Sequence, residues 1–260
     1  MPVAAPPYPT SHDLLAGKTV LVTAAAGTGI GFAVAKRCLE EGARVMISDI
    51  HERRLGEAAE RLAEAGGEIP ATHPCDVRSD EAVRALCAAA VEQMGQVDVL
   101  INNAGLGGHA RVVDMTDEQW NQVIDITLFS VFRMTRAMLP HMLERGSGAI
   151  VNNASVLGWR AQEGQSHYAA AKAGVMAFTR CAAIEAADNG VRINAVAPSI
   201  AVHEFLAKVT PQGLIEDLVS REAFGRGAEP WEIANAMVFL ASDYASYMTG
   251  EVISVSSQHA

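Results

Sequence analysis

The segment TVLVTAAAGTGIG, residues 19–31, decides the fold. Its first five residues are apolar or β-branched, as in a buried strand, and its second half is a glycine-rich turn. Apolar residues at helical spacing follow the turn, at Val34, Cys38 and Leu39. A strand, a glycine-rich turn and a helix in this order are typical of the first unit of a parallel sheet whose strands are joined by helices.

The alternation of strands and helices continues to the end of the chain. Seven short apolar runs predict strands at 19–23, 44–49, 69–75, 97–101, 149–153, 191–196 and 251–255. Helical patterns separate them, including a long helix at about 116–144, and a loop-rich stretch at about 199–227 is expected to form a lid. Because the strands are apolar on both sides of the pleat, the sequence predicts an α/β fold with a seven-stranded parallel sheet covered by helices on both faces.

Length, charge and the start of the chain limit the class of protein. A chain of 260 residues can bury one large core, so we expect a single domain at 16–260 after a flexible arm at 1–15. The net charge of -10 disfavours a nucleic-acid or anionic membrane partner. No apolar run is long enough to cross a bilayer and no signal-peptide pattern begins the chain, so a cytoplasmic location is expected. The four scattered cysteines predict neither a disulfide nor a metal site.

The glycine-rich turn predicts a site for a pyrophosphate. Gly27, Gly29 and Gly31 allow backbone amides to approach phosphate oxygens, and the helix that follows adds a favourable dipole. A tight connection between strand and helix, without any ligand, is the alternative explanation. The strand before the turn and the helix after it favour the pyrophosphate site.

Acidic residues after the second and third strands predict how an adenosine would be held. Asp49 lies eighteen residues after Gly31, where its carboxylate would accept hydrogen bonds from a ribose diol and repel a 2′-phosphate. NAD is therefore favoured over NADP. Three nearby basic residues keep NADP open as an alternative: His51, Arg53 and Arg54. Asp76 is placed either to contact the adenine amino group or to cap the next helix.

The stretch SVLGWRAQEGQSHYAAAK, residues 155–172, carries the candidate catalytic groups. Tyr168 and Lys172 are four residues apart in an alanine-rich helical segment, so both side chains leave the same face. A neighbouring ammonium favours the phenolate and is expected to lower the pKa of Tyr168, which would let the phenol exchange a proton. The alternative is that the two residues merely share an exposed helix face.

The segment NNAG at 102–105 completes a set of motifs. A glycine-rich turn, NNAG after the fourth strand, a serine after the fifth and Tyr-x-x-x-Lys thirteen residues later resemble the short-chain dehydrogenase/reductases from residue 18 onward. The resemblance implies a Rossmann fold and hydride transfer between a nicotinamide dinucleotide and a secondary alcohol or ketone. It also implies that Ser155 orients the substrate oxygen, Tyr168 transfers the proton, and Lys172 holds the nicotinamide ribose. The expected cofactor contacts are Ala25, Gly27, Thr28, Gly29, Ile30, Gly31, Asp49, Asp76, Val77, Asn103, Ala104, Gly105, Tyr168, Lys172, Pro198 and Ile200.

Several positions depart from the family pattern. Ala25 replaces the first glycine of the turn, which is expected to bring a methyl group toward the phosphate. Thr127, which we count with the catalytic residues, replaces an asparagine that kinks the long helix and holds a water of the proton relay. Ser199 replaces a glycine after Pro198, and His203 replaces a threonine that often contacts the carboxamide. These departures leave a catalytically weak binding module as an alternative, which the intact serine, tyrosine and lysine oppose.

Two strings point to a substrate class. NNASVLGWRAQ and SHYAAAKAGVM resemble an actinobacterial branch that acts in steroid, and so cholesterol, degradation. The resemblance implies oxidation with NAD of a ring alcohol in a steroid-derived coenzyme A thioester. Reduction of a 3-oxoacyl thioester with NADPH is the alternative.

Loops that follow the strands are expected to cover the site, at 106–113, 156–165 and 199–227. Their apolar side chains predict a pocket, and their arginines and histidines are candidate contacts for a carboxylate, phosphates or other polar parts of a substrate; packing of the loops on themselves is the alternative. These residues are Trp159, Phe205, Leu206, Phe224, Arg111, Arg160, His109, His167 and His203. The helix that carries Tyr168 has more apolar surface than one sheet face needs, which predicts a homo-oligomer, a dimer or tetramer.

Overall fold

The structure is a computed structural model that describes residues 2–204, 206 and 212–258. Its strands are β1 (Thr19–Thr23), β2 (Arg44–Asp49), β3 (Ala71–Pro74), β4 (Val99–Asn102), β5 (Gly148–Asn153), β6 (Val191–Pro198) and β7 (Val252–Val255). They form one sheet in the order β3-β2-β1-β4-β5-β6-β7, and every neighbouring pair is parallel. The predicted α/β fold with a seven-stranded parallel sheet is confirmed.

Helices join the strands and cover both faces of the sheet. They are α1 (Ile30–Glu40), α2 (Glu52–Gly66), α3 (Asp80–Met94), α4 (Asp117–Ile124), α5 (Ser130–Arg145), α6 (Ser166–Ala187), α7 (Gln212–Ser220) and α8 (Pro230–Ala241). The long helix predicted at about 116–144 is interrupted, because the π-helical residues Asp125–Phe129 lie between α4 and α5. A wider turn of this kind is often found next to a functional site.

The side chains of β1 show how the sheet supplies two cores. Val20 and Val22 belong to a buried cluster with α1, α2 and α8, whereas Leu21 points to the other face and joins a cluster with α3, α5 and α6. All three are fully buried. Each such side chain contributes roughly 2 kcal/mol by leaving water, which explains why the strands are continuous apolar runs.

The segment expected to form the lid contains regular structure. Helix α7 lies within the stretch that was predicted to be rich in loops. Phe205 lies outside the described residues, as do 207–211. No helix in the described ranges is both long enough and apolar enough to cross a bilayer.

Both ends of the chain contact the end of the lid segment. Residues 2–12 form no helix or strand, but the Val3 amide donates a hydrogen bond to the Phe224 carbonyl at 2.8 Å. The Tyr8 hydroxyl donates to Glu40 at 2.6 Å. Near the other terminus, the Ser257 hydroxyl and amide both donate to the buried carboxylate of Glu222, at 2.8 and 3.1 Å. The last lid residues therefore lie between the two termini.

Candidate active site

The candidate site lies at the carboxyl edge of the sheet. Asp49 ends β2, Asn103 follows β4, and Ser155 comes two residues after β5. Carboxyl ends of parallel strands meet at one edge, so residues far apart in sequence come together there. A cavity of about 520 Å³ lies at the opposite edge of the sheet, among the residues that begin β4, β5 and β6. None of the predicted site residues lines it.

The predicted catalytic serine, tyrosine and lysine meet at this edge. Lys172 Nζ lies 5.5 Å from the centre of the Tyr168 ring, as expected for residues one turn apart on α6. The Ser155 hydroxyl lies near enough to the Tyr168 hydroxyl to favour its ionised form, and Ser155 Oγ accepts a bond from the Leu157 amide at 3.2 Å. Lys172 is 2% exposed, and its Nζ donates to the carbonyl of Asn153. We call Ser155, Tyr168 and Lys172 the catalytic corner.

Burial decides the protonation of the catalytic corner. It raises the pKa of Tyr168 to about 12, and the hydrogen bond with Ser155 opposes this rise. It lowers the pKa of Lys172 to about 7. The prediction that the ammonium lowers the pKa of the phenol is therefore wrong for this arrangement. Lys172 is buried and Tyr168 is partly buried, so loss of hydration disfavours the charged form of both groups.

Thr127 holds the segment that follows β4. Its side chain is fully buried in the π-helical turn, and its Oγ1 donates to the Leu106 carbonyl at 3.1 Å and accepts from the Leu106 amide at 3.0 Å. The hydroxyl thus pairs with the neighbouring segment and not with its own helix. A methyl group placed on Gly105 would lie 3.4 Å from Lys172 Nζ and 3.9 Å from Thr127 Oγ1, so Gly105 separates the two side chains.

The asparagines of the NNAG and β5 segments support the glycine-rich turn. Asn103 Nδ2 donates to the carbonyls of Thr23 and Ala24 at 3.2 and 3.1 Å, and its Oδ1 accepts from Asn153 Nδ2 at 3.0 Å. The Ala104 amide donates to Thr23 Oγ1 at 3.2 Å. The Asn103 side chain therefore ties the end of β1 to β5.

The glycine-rich turn departs from the predicted geometry at one position. Ala25 is fully buried in the core, and its amide donates to the Ser48 carbonyl at 3.1 Å, so its methyl group does not face the opening of the turn. The prediction that this methyl group approaches a phosphate is wrong. The strained residue is Ala24, whose φ of 53° lies in the left-handed region. Gly31 is required here, because a side chain would collide with the Ala24 carbonyl.

The remaining residues of the turn fit a dinucleotide. Thr28 Oγ1 is buried and has no hydrogen-bond partner among the residues that the structure describes. Gly27 and Gly29 leave the mouth of the turn free of their own side chains, and helix α1 begins at Ile30. An unpaired buried hydroxyl and the free amides of a helix amino terminus are hydrogen-bond donors, and the oxygens of a diphosphate would accept from both.

Asp49 is half-buried, and both of its carboxylate oxygens already accept backbone hydrogen bonds. Oδ2 accepts from the Ala26 amide at 3.3 Å and Oδ1 from the His51 amide at 3.0 Å. Burial raises the pKa of Asp49, while the Ala26 amide and the nearby Arg54 guanidinium oppose that rise. Arg53 instead pairs with Glu57 on the exposed face of α2, at 3.1 Å. Of the basic residues considered for NADP, Arg54 is the one whose charge reaches Asp49.

The other predicted cofactor residues are held by the framework. Both carboxylate oxygens of Asp76 bind Arg78, at 2.7 to 3.0 Å, and this contact lowers the pKa of Asp76. Val77 packs beside α3, and Pro198 ends β6. The Ile200 carbonyl accepts from the Ala228 amide at 2.9 Å.

The rim residues are spread over the mouth of the site. Trp159 and Phe224 are each 50% exposed. Arg111 is exposed and lies 3.9 Å from Glu163, whereas Arg160 donates to the neutral amide of Gln258. His109 lies against Gly164, and His167 is buried against Gly108. Burial lowers the pKa of His167, and the neighbouring His109 adds to this effect.

Sequence reasoning missed two contacts at the site. Gln165 Nε2 donates to the Gly108 carbonyl at 2.7 Å, which ties the segment after β4 to the start of α6. Arg61 lies over the ring of Phe32, 4.4 Å from its centre, and donates to the Gly27 carbonyl at 3.1 Å. Each contact joins segments more than 25 residues apart, so no local pattern would have found it.

Comparisons with known proteins place the chain among oxidoreductases of known sequence and structure. A family model described as Enoyl-(Acyl carrier protein) reductase matches residues 24–257. The chain is 61% identical over 256 residues to a (5R,7aS)-5-hydroxy-7a-methyl-1-oxo-2,3,5,6,7,7a-hexahydro-1H-indene-carboxyl-CoA reductase of Mycobacterium tuberculosis, with 98% of both chains covered. It is 37% identical over 241 residues to the 3-oxoacyl-[acyl-carrier-protein] reductase FabG of Thermotoga maritima, with 93% of this chain and 97% of that protein covered. The crystal structure of a short chain dehydrogenase from Mycobacterium smegmatis has 59% identity and a TM-score of 0.88 and covers 99% of both chains.

Proposed function

The chain belongs to the short-chain dehydrogenase/reductase family, and we propose that it transfers a hydride between NAD and a ring alcohol or ketone of a steroid-derived coenzyme A thioester. The observation that carries the reaction type is the catalytic corner, where a serine, a tyrosine and a lysine meet in a largely buried site at the same sheet edge as the glycine-rich turn. The substrate class is supported by the relative of Mycobacterium tuberculosis, whose name includes an indene-carboxyl-CoA.

The protonation state of Tyr168 suits reduction of a carbonyl. When bound, the dinucleotide supplies or accepts the hydride. In reduction, negative charge grows on the substrate oxygen, which Ser155 and Tyr168 would hold between their hydroxyls. Because the pKa of Tyr168 is raised to about 12, the phenol keeps the proton that this oxygen needs. Oxidation requires the phenol to lose that proton first, so the protonated phenol is the form that serves reduction.

Lys172 and Thr127 act on the surroundings of the phenol. Lys172 lies beside the Tyr168 ring, where its ammonium form would stabilise the phenolate that proton transfer leaves behind. Its pKa of about 7 allows it to gain or lose a proton near neutral pH. Thr127 keeps Gly105 and Leu106 against the lysine through its two hydrogen bonds. It is a positioning residue in this proposal.

Asp49 supports NAD as the preferred cofactor. Its carboxylate ends β2 beside the turn, where it would accept hydrogen bonds from the adenosine ribose and repel a 2′-phosphate. Arg54 is the residue that would partly offset this repulsion. The proposal is therefore a preference for NAD with weaker use of NADP.

Arg160 is the candidate contact for the phosphates of the carrier. It donates to Gln258, which is uncharged, and it pairs with no carboxylate in the described part of the chain. A cavity of about 260 Å³ separates the segment after Ser155 from α7. Its lining comprises Leu157, Arg160, Ala161, Gln162, Leu218, Arg221 and Gln258. A phosphorylated carrier that leaves the catalytic corner on this side would meet a guanidinium.

Steady-state assays test the proposal. We expect turnover of the ring ketone coenzyme A thioester with NADH, and of the corresponding alcohol with NAD, at kcat/KM values well above those for an acyclic 3-oxoacyl thioester. The relative of Thermotoga maritima supports 3-oxoacyl reduction as the second candidate function. Preference for NADPH and an acyclic 3-oxoacyl thioester, without turnover of the ring compound, would replace the first function by the second.

Exposed apolar side chains support a homo-oligomer. Phe129 and Phe132, near the start of α5, are 47% and 41% exposed, and Ile184 on α6 is 79% exposed. A second copy of the chain is the proposed cover for these helices, in a dimer or a tetramer. Light scattering at working concentration should give at least twice the mass of 27.5 kDa.

A further inference from the structure

His203 lies against the middle of the glycine-rich turn. A methyl group placed on Gly29 would come within 3.1 Å of both Cε1 and Nε2 of the imidazole. His203 follows β6, in the first part of the lid segment, and is partly buried. In sequence it stands where related chains have a threonine that often contacts the carboxamide. In the fold its ring lies over the part of the turn where a diphosphate is expected.

The lid backbone sets the tautomer of this histidine. The Leu206 amide donates a hydrogen bond to His203 Nδ1 at 3.4 Å, so Nδ1 is an acceptor and carries no proton. The proton of the neutral ring is therefore on Nε2, the nitrogen that faces Gly29. His203 presents an N–H donor to the turn.

A second observation points to an anion at the same place. The hydroxyl of Thr28, next to Gly29, is buried and unpaired in the described structure. The amides at the start of α1 add further donors with the positive end of a helix dipole. Donors from the lid, the turn and the helix thus face one space, and this favours an acceptor with several oxygens.

The charged groups around the turn either bind backbone groups or are exposed to solvent, and none of those described pairs with His203. Arg61 donates to the Gly27 carbonyl at 3.1 Å, and Asp49 accepts from the Ala26 amide at 3.3 Å. Glu204 follows His203 in the chain and is exposed. Burial is the cause of the lowered pKa of His203.

We propose that His203 binds the diphosphate of the dinucleotide, with Nε2–H as the donor and the lid as its support. The inference rests on the proposed function only for the identity of the ligand as a nicotinamide dinucleotide. A bound diphosphate would also favour the protonated imidazole, since opposite charges attract at short range, and protonation of Nδ1 would give up the long bond from the Leu206 amide. Affinity for the dinucleotide should therefore increase as the pH falls from about 8 to about 6.

Ligand fragments separate a diphosphate contact from a carboxamide contact. NADH carries both groups, ADP-ribose carries the diphosphate without nicotinamide, and AMP carries neither. Kd values are measured by titration calorimetry or NADH fluorescence for the parent chain, His203→Leu and His203→Gln. The control is His12→Leu, which alters an exposed histidine of the amino-terminal arm.

We expect His203→Leu to raise the Kd about tenfold for NADH and for ADP-ribose and less than about twofold for AMP. His203→Gln, which keeps a donor, should lose less affinity and should remove the dependence on pH, and His12→Leu should match the parent chain. An unchanged Kd for ADP-ribose, or an equal loss for AMP, would overturn the assignment. If the parent chain binds neither NADH nor ADP-ribose, the proposed function itself fails. Binding of both without an effect of His203 overturns this inference alone.

Discussion

The catalytic corner and the glycine-rich turn lie at the same edge of the sheet, but they differ in how their polar groups are satisfied. In the corner, Lys172 Nζ donates to a carbonyl and the Ser155 hydroxyl favours the ionised form of the Tyr168 hydroxyl. In the turn, the Thr28 hydroxyl has no partner among the described residues, and Ala24 has a left-handed backbone.

This difference shows in which part of the site the chain itself satisfies the hydrogen-bonding groups. In the corner Lys172 Nζ already has a carbonyl partner, and burial keeps Tyr168 protonated and brings the pKa of Lys172 to about 7. The turn leaves a donor unpaired and receives an imidazole from the lid. We infer that the reacting groups are positioned before binding, whereas the polar groups of the turn are satisfied by the dinucleotide. The following experiments test this contrast.

Tyr168→Phe should have the largest effect on activity. Loss of the phenol hydroxyl removes the proton donor, so we expect kcat to fall by about a thousandfold or more, with NADH affinity within about threefold of the parent value. Steady-state kinetics and NADH titration measure the two quantities. Unchanged turnover would mean that the corner is not the reacting part, and would favour the binding-module alternative.

Lys172→Met should change how stability depends on pH. The pKa of Lys172 is about 7 in the folded chain and about 10.4 when unfolded, so between these values the unfolded chain binds a proton that the folded chain has lost. The free energy of unfolding should therefore rise with pH across this window, by up to about 1.4 kcal/mol per pH unit. Denaturant unfolding at several pH values should show this slope in the parent chain and a flatter one in the variant. Parallel slopes would contradict the burial of a neutral lysine.

Thr127→Val should weaken the attachment of Leu106 to the π-helical turn next to the catalytic corner. The variant keeps the shape of the side chain but removes the hydroxyl that pairs with the amide and carbonyl of the partly buried Leu106, at a cost of about 2 kcal/mol for the two bonds. Denaturant unfolding measures this loss, and kcat should fall with it. Thr127→Ser keeps the hydroxyl and is the matched control. Equal losses in both variants would assign the effect to the methyl group and not to the hydrogen bonds.

Asp49→Ala tests the adenosine end of the turn. Loss of the carboxylate should weaken NAD by about tenfold, roughly 1.4 kcal/mol, and weaken NADP less or strengthen it, because a repulsion is also removed. Direct titration with both dinucleotides gives the ratio of Kd values. An unchanged ratio would rule out a role of Asp49 in choosing between them.

Ala24→Gly should have the smallest effect. Relief of the left-handed φ of 53° should raise the free energy of unfolding by about 0.5 to 1 kcal/mol, after allowance for the greater freedom of glycine in the unfolded chain. Ala25→Gly is the control, because its methyl group is buried in the core and its removal should destabilise the chain. Calorimetric unfolding of both variants measures the difference. If Ala25→Gly stabilised the chain and Ala24→Gly did not, Ala25 would be the position that favours glycine, as the alignment with the family's first glycine predicts.

Prediction from sequence succeeded where the geometry is local. Tyr168 and Lys172 share a helix face because they are four residues apart, and they lie together in the structure as expected. The chain order of strands and helices predicted the sheet, and the carboxyl edge then collected Asp49, Asn103 and Ser155. The roles of these residues stay proposals, which the variants above test.

Prediction failed where a distant segment changes the surroundings of a residue. The pKa of Tyr168 moves up and not down, because burial outweighs the hydrogen bond with Ser155. In the turn, the position that needs a left-handed backbone is Ala24, since the Gly31 backbone packs against its carbonyl. Alignment of the motif alone had placed the departure from the glycine pattern at Ala25.

The amino-acid sequence by itself determined the order of strands and helices, the family and the spacing of the catalytic side chains, because strand pleat and helix turn repeat over a few residues. The tertiary structure alone decided the burial of Lys172 and Ser155, the pairing of Thr127 with Leu106 and the contact of His203 with Gly29. These features join segments that are 20 or more residues apart in the chain. Desolvation and long-range hydrogen bonds depend on which segments come into contact in the fold. Sequence patterns that repeat over a few residues do not predict those contacts.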